Sequence, residues 1–361
     1  MLWFSCLLVA YLFFLLFLLI GYQYGVAKRK KDRKKDISIE LNDVTVVIPF
    51  RNEKENLNVL INQIKRLKIR PLQFLFVDDH STDDGAALIE ANMDNAVALL
   101  SMKEKTGKKE AVYKGVIKAK TSYILCWDAD ISFTIDYFKE LRTKPKKDLV
   151  ILPVHHMSLG IYDWFFEIDV ILANYINHSS YGVNRPVICS GANLLFKKAS
   201  YLEVIALESH KHIASGDDAF LLRNMQQANK SIELGALNHS AVSTPNPGNF
   251  IEFLSQRARW FGKTFLLKDK LLNAYGLIQL LFALGFFALL LFLICTDPIL
   301  LLKFWFVKSL IETIFLLPFF YALNKTKLLT ILPLYGVVFP IYNIILLSSL
   351  FRKKKWKGRV I

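Results

Sequence analysis

Residues 2–20 form an uninterrupted apolar segment without a charged side chain. At about 1.5 Å per helical residue, the segment matches the roughly 30 Å hydrocarbon core of a bilayer. A cleaved signal peptide is the alternative interpretation, but it usually has a basic start and a small-residue cleavage site, and neither is evident here. The segment therefore predicts an uncleaved transmembrane anchor over residues 1–24.

Two basic stretches flank the apolar parts of the chain. Residues 28–35 carry seven basic side chains and one acidic one, and residues 352–359 carry six basic and no acidic ones. They hold +12 of the formal net charge of +15, which leaves +3 for the rest of the chain. Basic residues beside a span stay on the cytoplasmic side and contact anionic lipids. The pattern predicts a cytoplasmic domain after a linker over 25–42 and a basic tail over 352–361, and it argues against a nucleic-acid surface.

Residues 273–351 are again strongly apolar and predict a multi-pass membrane protein. Two stretches, Leu277–Ile294 and Leu328–Phe351, carry no charge and are expected to span. The stretch between them, 299–323, contains Lys303, Lys308 and Glu312, of which the last two lie four residues apart and could pair on one helix face. Three spans would put the basic tail outside, so the positive-inside rule favours two spans with 299–323 interfacial or re-entrant.

Apolar strand-like runs alternate with helical patterns from residue 43 onward. Examples are "DVTVVIPF" at 43–50, "LQFLFVDD" at 72–79 and "SYILCWDAD" at 122–130. Strands that are apolar throughout, separated by helices, predict a Rossmann-like α/β domain with a parallel sheet covered on both faces. The domain is expected over 43–247, followed by an amphipathic interface helix over 248–272.

Acidic residues follow several of these strands. Because ligands bind at the carboxyl ends of parallel strands, the pairs Asp78–Asp79 and Asp128–Asp130 are candidates for a binding site. A turn is the simpler interpretation of Asp128-Ala-Asp130. The alternative is a site for Mg²⁺ or Mn²⁺, which take one or two carboxylates together with substrate phosphates. The chain has neither the dinucleotide-binding motif GxGxxG after its first strand nor the P-loop motif GxxxxGK[ST]. The acids, with a metal, would therefore bind the ligand.

An ordered set of motifs resembles family 2 glycosyltransferases with the GT-A fold. In chain order the motifs are "VVIPFRNEKENL", "FVDDHSTDDG", "TGKKEAVYKGV", "CWDAD", "CSGANLLFKK", "SGDDAFL" and "QRARW". Together they cover roughly residues 43–262. The QxxRW element, formed by Gln256, Arg259 and Trp260, is similar to that of membrane-bound synthase-type members.

The resemblance implies roles for individual residues. Asp218, with Asp217 beside it, would be the catalytic base, and Asp130 and Asp128 would bind the metal. The donor and acceptor would contact Pro49, Arg51, Glu53, Asp78, Asp79, Lys108 (or Lys109), Asp128, Gly191, Asn193, Gln256, Arg259 and Trp260. Many relatives have Glu-Asp where this chain has Asp217-Asp218, which leaves open which of the two acids titrates high.

Structural roles compete with several of these assignments. Ser81 or Thr82 could cap a helix after Asp78–Asp79, and Asp217–Asp218 could cap the helix that follows them. Trp260 could be an interfacial anchor, and Arg257 and Arg259 could contact lipid phosphates.

The function predicted from the sequence is a membrane-bound, metal-dependent, inverting glycosyltransferase of hexosyltransferase type. It would move a sugar from a nucleotide sugar, a UDP-sugar by the resemblance, to a lipid-linked or polysaccharide acceptor at the cytoplasmic face. A processive polysaccharide synthase and a non-enzymatic membrane scaffold or lipid-binding module are the alternatives.

Overall fold

The computed structural model describes residues 2–32, 38–104, 106–158, 160–206, 217–267, 269–349, 355–356 and 359–360. The chain divides into two compact units. The helical unit contains residues 1–27, 158–187 and 246–360, and the sheet unit contains residues 28–157 and 188–245.

The strands are numbered in chain order. They are β1 (Val44–Phe50), β2 (Gln73–Asp78), β3 (Val97–Ser101), β4 (Tyr123–Trp127), β5 (Ser132–Phe133), β6 (Leu149–Ile151), β7 (Val154–Met157), β8 (Asn193–Lys197), β9 (Ile232–Leu234), β10 (Val242–Pro245), β11 (Lys355–Trp356) and β12 (Arg359–Val360).

The α-helices are numbered in the same way. They are α1 (Leu2–Asp32), α2 (Lys54–Lys65), α3 (Gly85–Glu90), α4 (Lys108–Lys118), α5 (Tyr137–Leu141), α6 (Ile161–Val183), α7 (Lys198–Ala206), α8 (Asp217–Gln227), α9 (Phe250–Leu266), α10 (Lys270–Thr296), α11 (Pro298–Ala322) and α12 (Leu332–Ser349).

The sheet unit is built on a seven-stranded mixed sheet in the order β3-β2-β1-β4-β8-β6-β9. β1 pairs in parallel with both β2 and β4, whereas β8 is antiparallel to its neighbours β4 and β6. Every residue of β1 and β4 is buried, which explains why their sequences are apolar without alternation. The predicted α/β fold is confirmed, with β8 as an antiparallel exception to the expected parallel sheet.

Asn193, at the start of β8, is fully buried and links β4 to its surroundings. Its Oδ1 accepts hydrogen bonds from Trp127 Nε1 (3.2 Å) and Tyr137 Oη (2.5 Å). Its Nδ2 donates to the carbonyls of Pro153 (2.8 Å) and Ser240 (2.9 Å). With both donors and both acceptor positions used, this amide fixes the end of β4, from which Asp128 follows.

In the helical unit, α1 and α6 approach so closely that only glycine fits between them. A Cβ added to Gly182 would lie 1.8 Å from the carbonyl oxygen of Gly21 and 2.7 Å from the amide nitrogen of Gly25. Gly21 and Gly25 form a GxxxG pattern, which allows two apolar helices to pack backbone to backbone. The basic residues from Lys28 to Lys31 continue α1 as helix, beyond the anchor expected to end at residue 24.

A buried polar network joins α6, α9 and α12. Asp169 pairs through Oδ2 with Arg257 NH2 (2.6 Å) and accepts hydrogen bonds at Oδ1 from the hydroxyls of Tyr335 (2.6 Å) and Tyr342. The Arg257 guanidinium also lies 4.3 Å from the ring centroid of Trp260. Arg257 is therefore enclosed among helices, and the suggestion that it contacts lipid phosphates is wrong.

Three helices are long and apolar enough to cross a membrane among the residues that the structure describes. They cover Ser5–Lys31, Lys270–Thr296 and Thr326–Leu346. α11 lies between the last two and is a continuous helix of 25 residues. Its Lys308 and Glu312 are buried and form the expected ion pair (2.6 Å), in which Glu312 Oε1 also accepts a hydrogen bond from Tyr11 Oη. The number of spans and their orientation stay predictions.

Candidate active site

The candidate site lies in the sheet unit, where β1, β2 and β4 end at one edge. The three strands are parallel neighbours, so the residues that follow them share that edge. Arg51 and Glu53 follow β1, and Asp78–Asp79 end β2. Asp128 and Asp130 follow β4. The sheet topology therefore brings together three of the sequence motifs that lie far apart in the chain.

The carboxylates after β2 are buried and held by backbone amides. Asp78 Oδ1 accepts a hydrogen bond from Ser81 N, and Asp79 Oδ2 accepts one from Gly107 N, both at 2.9 Å. Gly107 has φ of +118°, a conformation that favours glycine, and it precedes α4 directly. The N-cap of α3 is Asp84, whose side chain makes no capping hydrogen bond. Neither Ser81 nor Thr82 therefore caps α3.

Asp130 lies in a cluster of negative charge after β4. Burial, together with the neighbouring carboxylates of Asp128 and Glu53, raises its pKa to about 6. The positive charge of Lys108, whose Nζ lies 2.5 Å from Asp128 Oδ1, acts in the opposite direction and limits this rise. Closely spaced carboxylates favour the protonated form unless a cation is present.

The donor set suits a hard divalent cation. No group of three or more His, Cys, Asp or Glu side chains is arranged to hold a metal within the described ranges. Mg²⁺ needs only one or two carboxylates when substrate phosphates complete its coordination. Asp128 and Asp130 offer such a pair, and the Lys108 ammonium already provides a positive charge beside Asp128. The residues present therefore fit the cation that the family implies.

Asp218, in the first turn of α8, is fixed against the loop before β8. Its Oδ2 accepts a hydrogen bond from Gly191 N (3.0 Å), and its carbonyl oxygen is 3.1 Å from Cys189 Sγ. A Cβ placed on Gly191 would lie 3.6 Å from Asp218 Cβ and 3.6 Å from Lys108 Nζ. Asp218 and Lys108 thus both lie beside Gly191, and Lys108 also pairs with Asp128.

Some predicted site residues lie elsewhere or outside the described part of the chain. Pro49 is buried within β1. The side-chain amide of Asn193 is also buried, and all of its hydrogen-bonding positions are used within the protein. It has no polar atom left for a substrate, so the predicted substrate contact of Asn193 is wrong. The side chain of Asp217 and residues 207–216, which include the start of "SGDD", lie outside the described residues. Capping by the acids of that motif stays untested.

Gln256, Arg259 and Trp260 lie on α9, in the helical unit. Burial lowers the pKa of the Arg259 guanidinium, and Trp260 is 40% exposed. Gln256 Oε1 is buried without a hydrogen-bond partner among the described residues. The roles of these three residues toward a substrate stay predictions.

The sequence analysis overlooked residues that organise the site. Asn52 has φ of +53° and His80 has φ of +59°, so each loop at the ends of β1 and β2 contains a left-handed non-glycine residue. Asparagine tolerates this conformation better than most residues, which was the available signal in "RNE". Gly107 in "TGKK" carried the same kind of signal.

Comparison with known proteins agrees with this arrangement. The family model "Glycosyl transferase family 2" matches residues 45–201. A poly-beta-1,6-N-acetyl-D-glucosamine synthase of Staphylococcus aureus is 29% identical over 101 residues, which cover 27% of this chain and 24% of that protein. A 4,4'-diaponeurosporenoate glycosyltransferase of the same species is 24% identical over 148 residues, which cover 39% of each chain. The matches thus span about a quarter to two fifths of the length of these curated relatives.

Among solved structures, a mannosyltransferase from Pyrobaculum calidifontis, in complex with GDP-Man and Mn²⁺, has a TM-score of 0.52. It is 14% identical, and the alignment covers 94% of this chain and 99% of that one, so the likeness concerns the fold. Residues 45–201 thus match glycosyl transferase family 2, and the mixed sheet with acids at its strand ends has a GT-A-like α/β fold.

Proposed function

We propose that this protein is a membrane-bound, metal-dependent, inverting glycosyltransferase that takes a sugar from a nucleotide sugar. The observation that best supports this proposal is that candidate catalytic side chains come together near Gly191. Lys108 lies between the Asp128 carboxylate and the region next to Gly191, and Gly191 N holds Asp218 Oδ2 at 3.0 Å. A candidate metal-ligand carboxylate, a cation and a candidate base are thus linked through neighbouring contacts, an arrangement that supports transfer from a sugar diphosphate.

The nucleoside part of the donor would bind at the ends of β1 and β2. Asp78 and Asp79 are held there by backbone amides, and Glu53 accepts a hydrogen bond from Asn56 Nδ2 (2.7 Å). Fixed carboxylates suit the hydroxyls and ring N–H groups of a ribonucleoside, because these groups donate hydrogen bonds. We propose a UDP-sugar as donor. GDP-Man, bound by the structurally similar mannosyltransferase, is the alternative.

The diphosphate would lie toward Asp128 and Asp130, which would hold Mg²⁺ or Mn²⁺. When bound, the cation neutralises charge on the departing diphosphate. Lys108 would also neutralise charge on the diphosphate. Once a divalent cation binds the carboxylates, the Lys108 ammonium could leave Asp128 and contact a phosphate oxygen. Lys109, the second residue of the same helix, is a further cation and lines a cavity together with Gly191 and Asp218.

Asp218 would act as the general base. Its carboxylate would take the proton of an acceptor hydroxyl while the hydroxyl oxygen bonds to the anomeric carbon and the bond from that carbon to the diphosphate oxygen breaks. Attack from the face opposite the leaving group inverts the anomeric configuration. Gly191 N donates to Oδ2 (3.0 Å) and Ala219 N donates to Oδ1 (2.8 Å), so both carboxylate oxygens are oriented by backbone amides. A remaining lone pair on one of these oxygens would take the proton of the acceptor hydroxyl.

The acceptor would be lipid-linked or a polysaccharide, used at the cytoplasmic face of the membrane. The three long apolar helices and the basic residues at the end of α1 support a membrane location. A processive polysaccharide synthase is the second candidate, favoured by the similarity to a poly-N-acetylglucosamine synthase. Product length separates the two, because a processive enzyme releases long chains while much acceptor remains unused.

The test uses the full chain in detergent with UDP-sugars and GDP-Man, each with MnCl₂ or with EDTA. We expect metal-dependent transfer or slow hydrolysis of one donor. Asp218→Asn should lose about two to four orders of magnitude in kcat while still binding the nucleotide, as expected when a general base is removed. Asp136→Asn is the matched control, because Asp136 is an exposed acid of the same unit. Full activity of Asp218→Asn would contradict the assigned base, and failure to bind any nucleotide would favour the scaffold.

A further inference from the structure

The loops after β1 and β2 are joined by side-chain hydrogen bonds centred on Asn52. Asn52 Oδ1 accepts from Thr82 N (2.8 Å) and from Thr82 Oγ1 (3.3 Å), and Asn52 N donates to Ser81 Oγ (3.0 Å). We call Asn52, Ser81 and Thr82 the loop clasp. The main chains also meet nearby, where Asp79 N donates to the carbonyl of Phe50 (2.9 Å).

The clasp requires an unusual backbone at two positions. Asn52 and His80 both have left-handed φ angles, of +53° and +59°. Such conformations raise the free energy of a non-glycine residue by about 1 to 3 kcal/mol and persist when surrounding contacts enforce them. The enforcing contacts here are those of the clasp, since the left-handed turn at Asn52 points its amide oxygen to Thr82.

The residues next to the clasp are those assigned to the donor. Glu53 follows Asn52 directly, and Asp78 and Asp79 precede Ser81 and Thr82 by two to four positions. Asp78 is itself tied to the clasp, because its Oδ1 accepts from Ser81 N. The clasp therefore helps to fix the position of the carboxylate after β1 relative to those at the end of β2.

We propose that Asn52 is a positioning residue that locks these two loops together and so pre-forms the nucleoside end of the donor site. The inference rests on the proposed nucleotide-sugar function. Without the clasp, fewer contacts would join the two loops, although the bonds from Asp79 N to the carbonyl of Phe50 and from Lys54 N to Asp83 Oδ2 would remain. Donor binding would then have to order a looser pair of loops, which weakens affinity without altering the groups that perform the chemistry. Asn52 acts through Glu53, Asp78 and Asp79.

The test compares Asn52→Gly with Asn229→Gly in the full-length protein. Glycine allows the left-handed backbone at both positions, so the first variant removes only the two hydrogen bonds that Asn52 Oδ1 accepts from Thr82. Asn229 is the matched control, because it has φ of +52° and is exposed at the end of α8. The probes are UDP and GDP with MnCl₂, titrated calorimetrically, and donor and acceptor kinetics on the transferred sugar.

For Asn52→Gly we expect nucleotide affinity to fall about tenfold and the donor KM to rise by the same factor. A loss of this size corresponds to the free energy of one or two hydrogen bonds. The kcat at saturating donor and the acceptor KM should stay within about twofold. Ser81→Ala, which removes the acceptor for Asn52 N, should give a smaller loss of about threefold. Hydrogen exchange in the 78–84 peptide should be faster in Asn52→Gly and unchanged in Asn229→Gly.

The outcomes separate this inference from the function on which it rests. If the wild-type protein binds neither nucleotide, the proposed function fails and the inference fails with it. If the wild type binds but Asn52→Gly binds as tightly and exchanges as slowly in the 78–84 peptide, only the inference is overturned. A fall in kcat with unchanged donor affinity would also overturn it, because that pattern belongs to a residue acting on the chemical step.

Discussion

Replacing Asp130 by asparagine should stabilise the metal-free protein in a pH-dependent way. The pKa of Asp130 rises from its ordinary 3.8 to about 6 through burial and the nearby charges of Asp128 and Glu53. At 1.36 kcal/mol for each factor of ten, this rise corresponds to about 3 kcal/mol of unfolding free energy. The folded state holds the proton more tightly than the unfolded state, so stability falls as the pH rises from about 4, and the loss is complete above about pH 7.

Asparagine has the same shape without the charge, so the variant escapes this loss. We expect Asp130→Asn to gain up to about 3 kcal/mol over wild type above pH 7, about half of that at pH 5 and little below pH 4. The measurement is thermal or denaturant unfolding of the detergent-solubilised protein in EDTA over pH 4.5–8. Asp136→Asn, an exposed acid in the same unit, is the control and should show no pH-dependent gain.

The same substitution should act in the opposite direction when ligand is present. With MnCl₂ and nucleotide, the wild type should gain stability through binding to the folded state, and Asp130→Asn should lose most of that gain. A variant that is equally stable or less stable than wild type in EDTA at pH 8 would refute the idea that repelling carboxylates share this site. Unchanged stabilisation by Mn²⁺ and nucleotide would refute the role of Asp130 as a ligand.

Three further substitutions test other contacts. Gly191→Ala should fold normally, since its Cβ would lie 3.6 Å from its nearest neighbours. It should lower kcat/KM for transfer by roughly one to two orders of magnitude, because the added methyl group fills the space beside Lys108. Arg257→Met should lower the stability of the detergent-solubilised protein by about 3 to 5 kcal/mol, because it leaves the buried Asp169 carboxylate without its cation. The double variant with Asp169→Asn should recover much of this loss. Gly182→Ala should lower the thermal midpoint by separating α1 from α6. Its control, Gly276→Ala, meets nothing within 4 Å and should be neutral or slightly stabilising.

The sequence predicted the fold class and the principal acids because these features leave local signals. Strands buried on both faces, such as β1 and β4, must be apolar throughout, and acids that directly follow a strand must lie at its carboxyl end. The Lys308–Glu312 pair was predictable for the same reason, since residues four apart share a helix face. The antiparallel direction of β8 was not predictable, because the composition of a strand does not encode the direction of its partner.

Other features depend on contacts between residues distant in the chain. Asn193 sits in a motif that suggested substrate binding, yet its amide is used entirely by Trp127, Tyr137 and two carbonyls. Arg257 looked free to contact lipid, but Asp169, 88 positions earlier in the chain, neutralises it inside the helical unit. In both cases a polar side chain is buried by partners that no local pattern reveals.

The sequence by itself determined which segments must avoid water and where carboxylates follow strands, because hydrophobicity and strand period are local properties of the chain. Only the tertiary structure decided which charges neutralise one another. It placed Lys108 on Asp128, held Asp218 by the amide of Gly191 and joined the loops at Asn52 to Thr82. Hydrogen bonds and ion pairs act over only a few ångströms, so they are fixed when the strands and helices assemble.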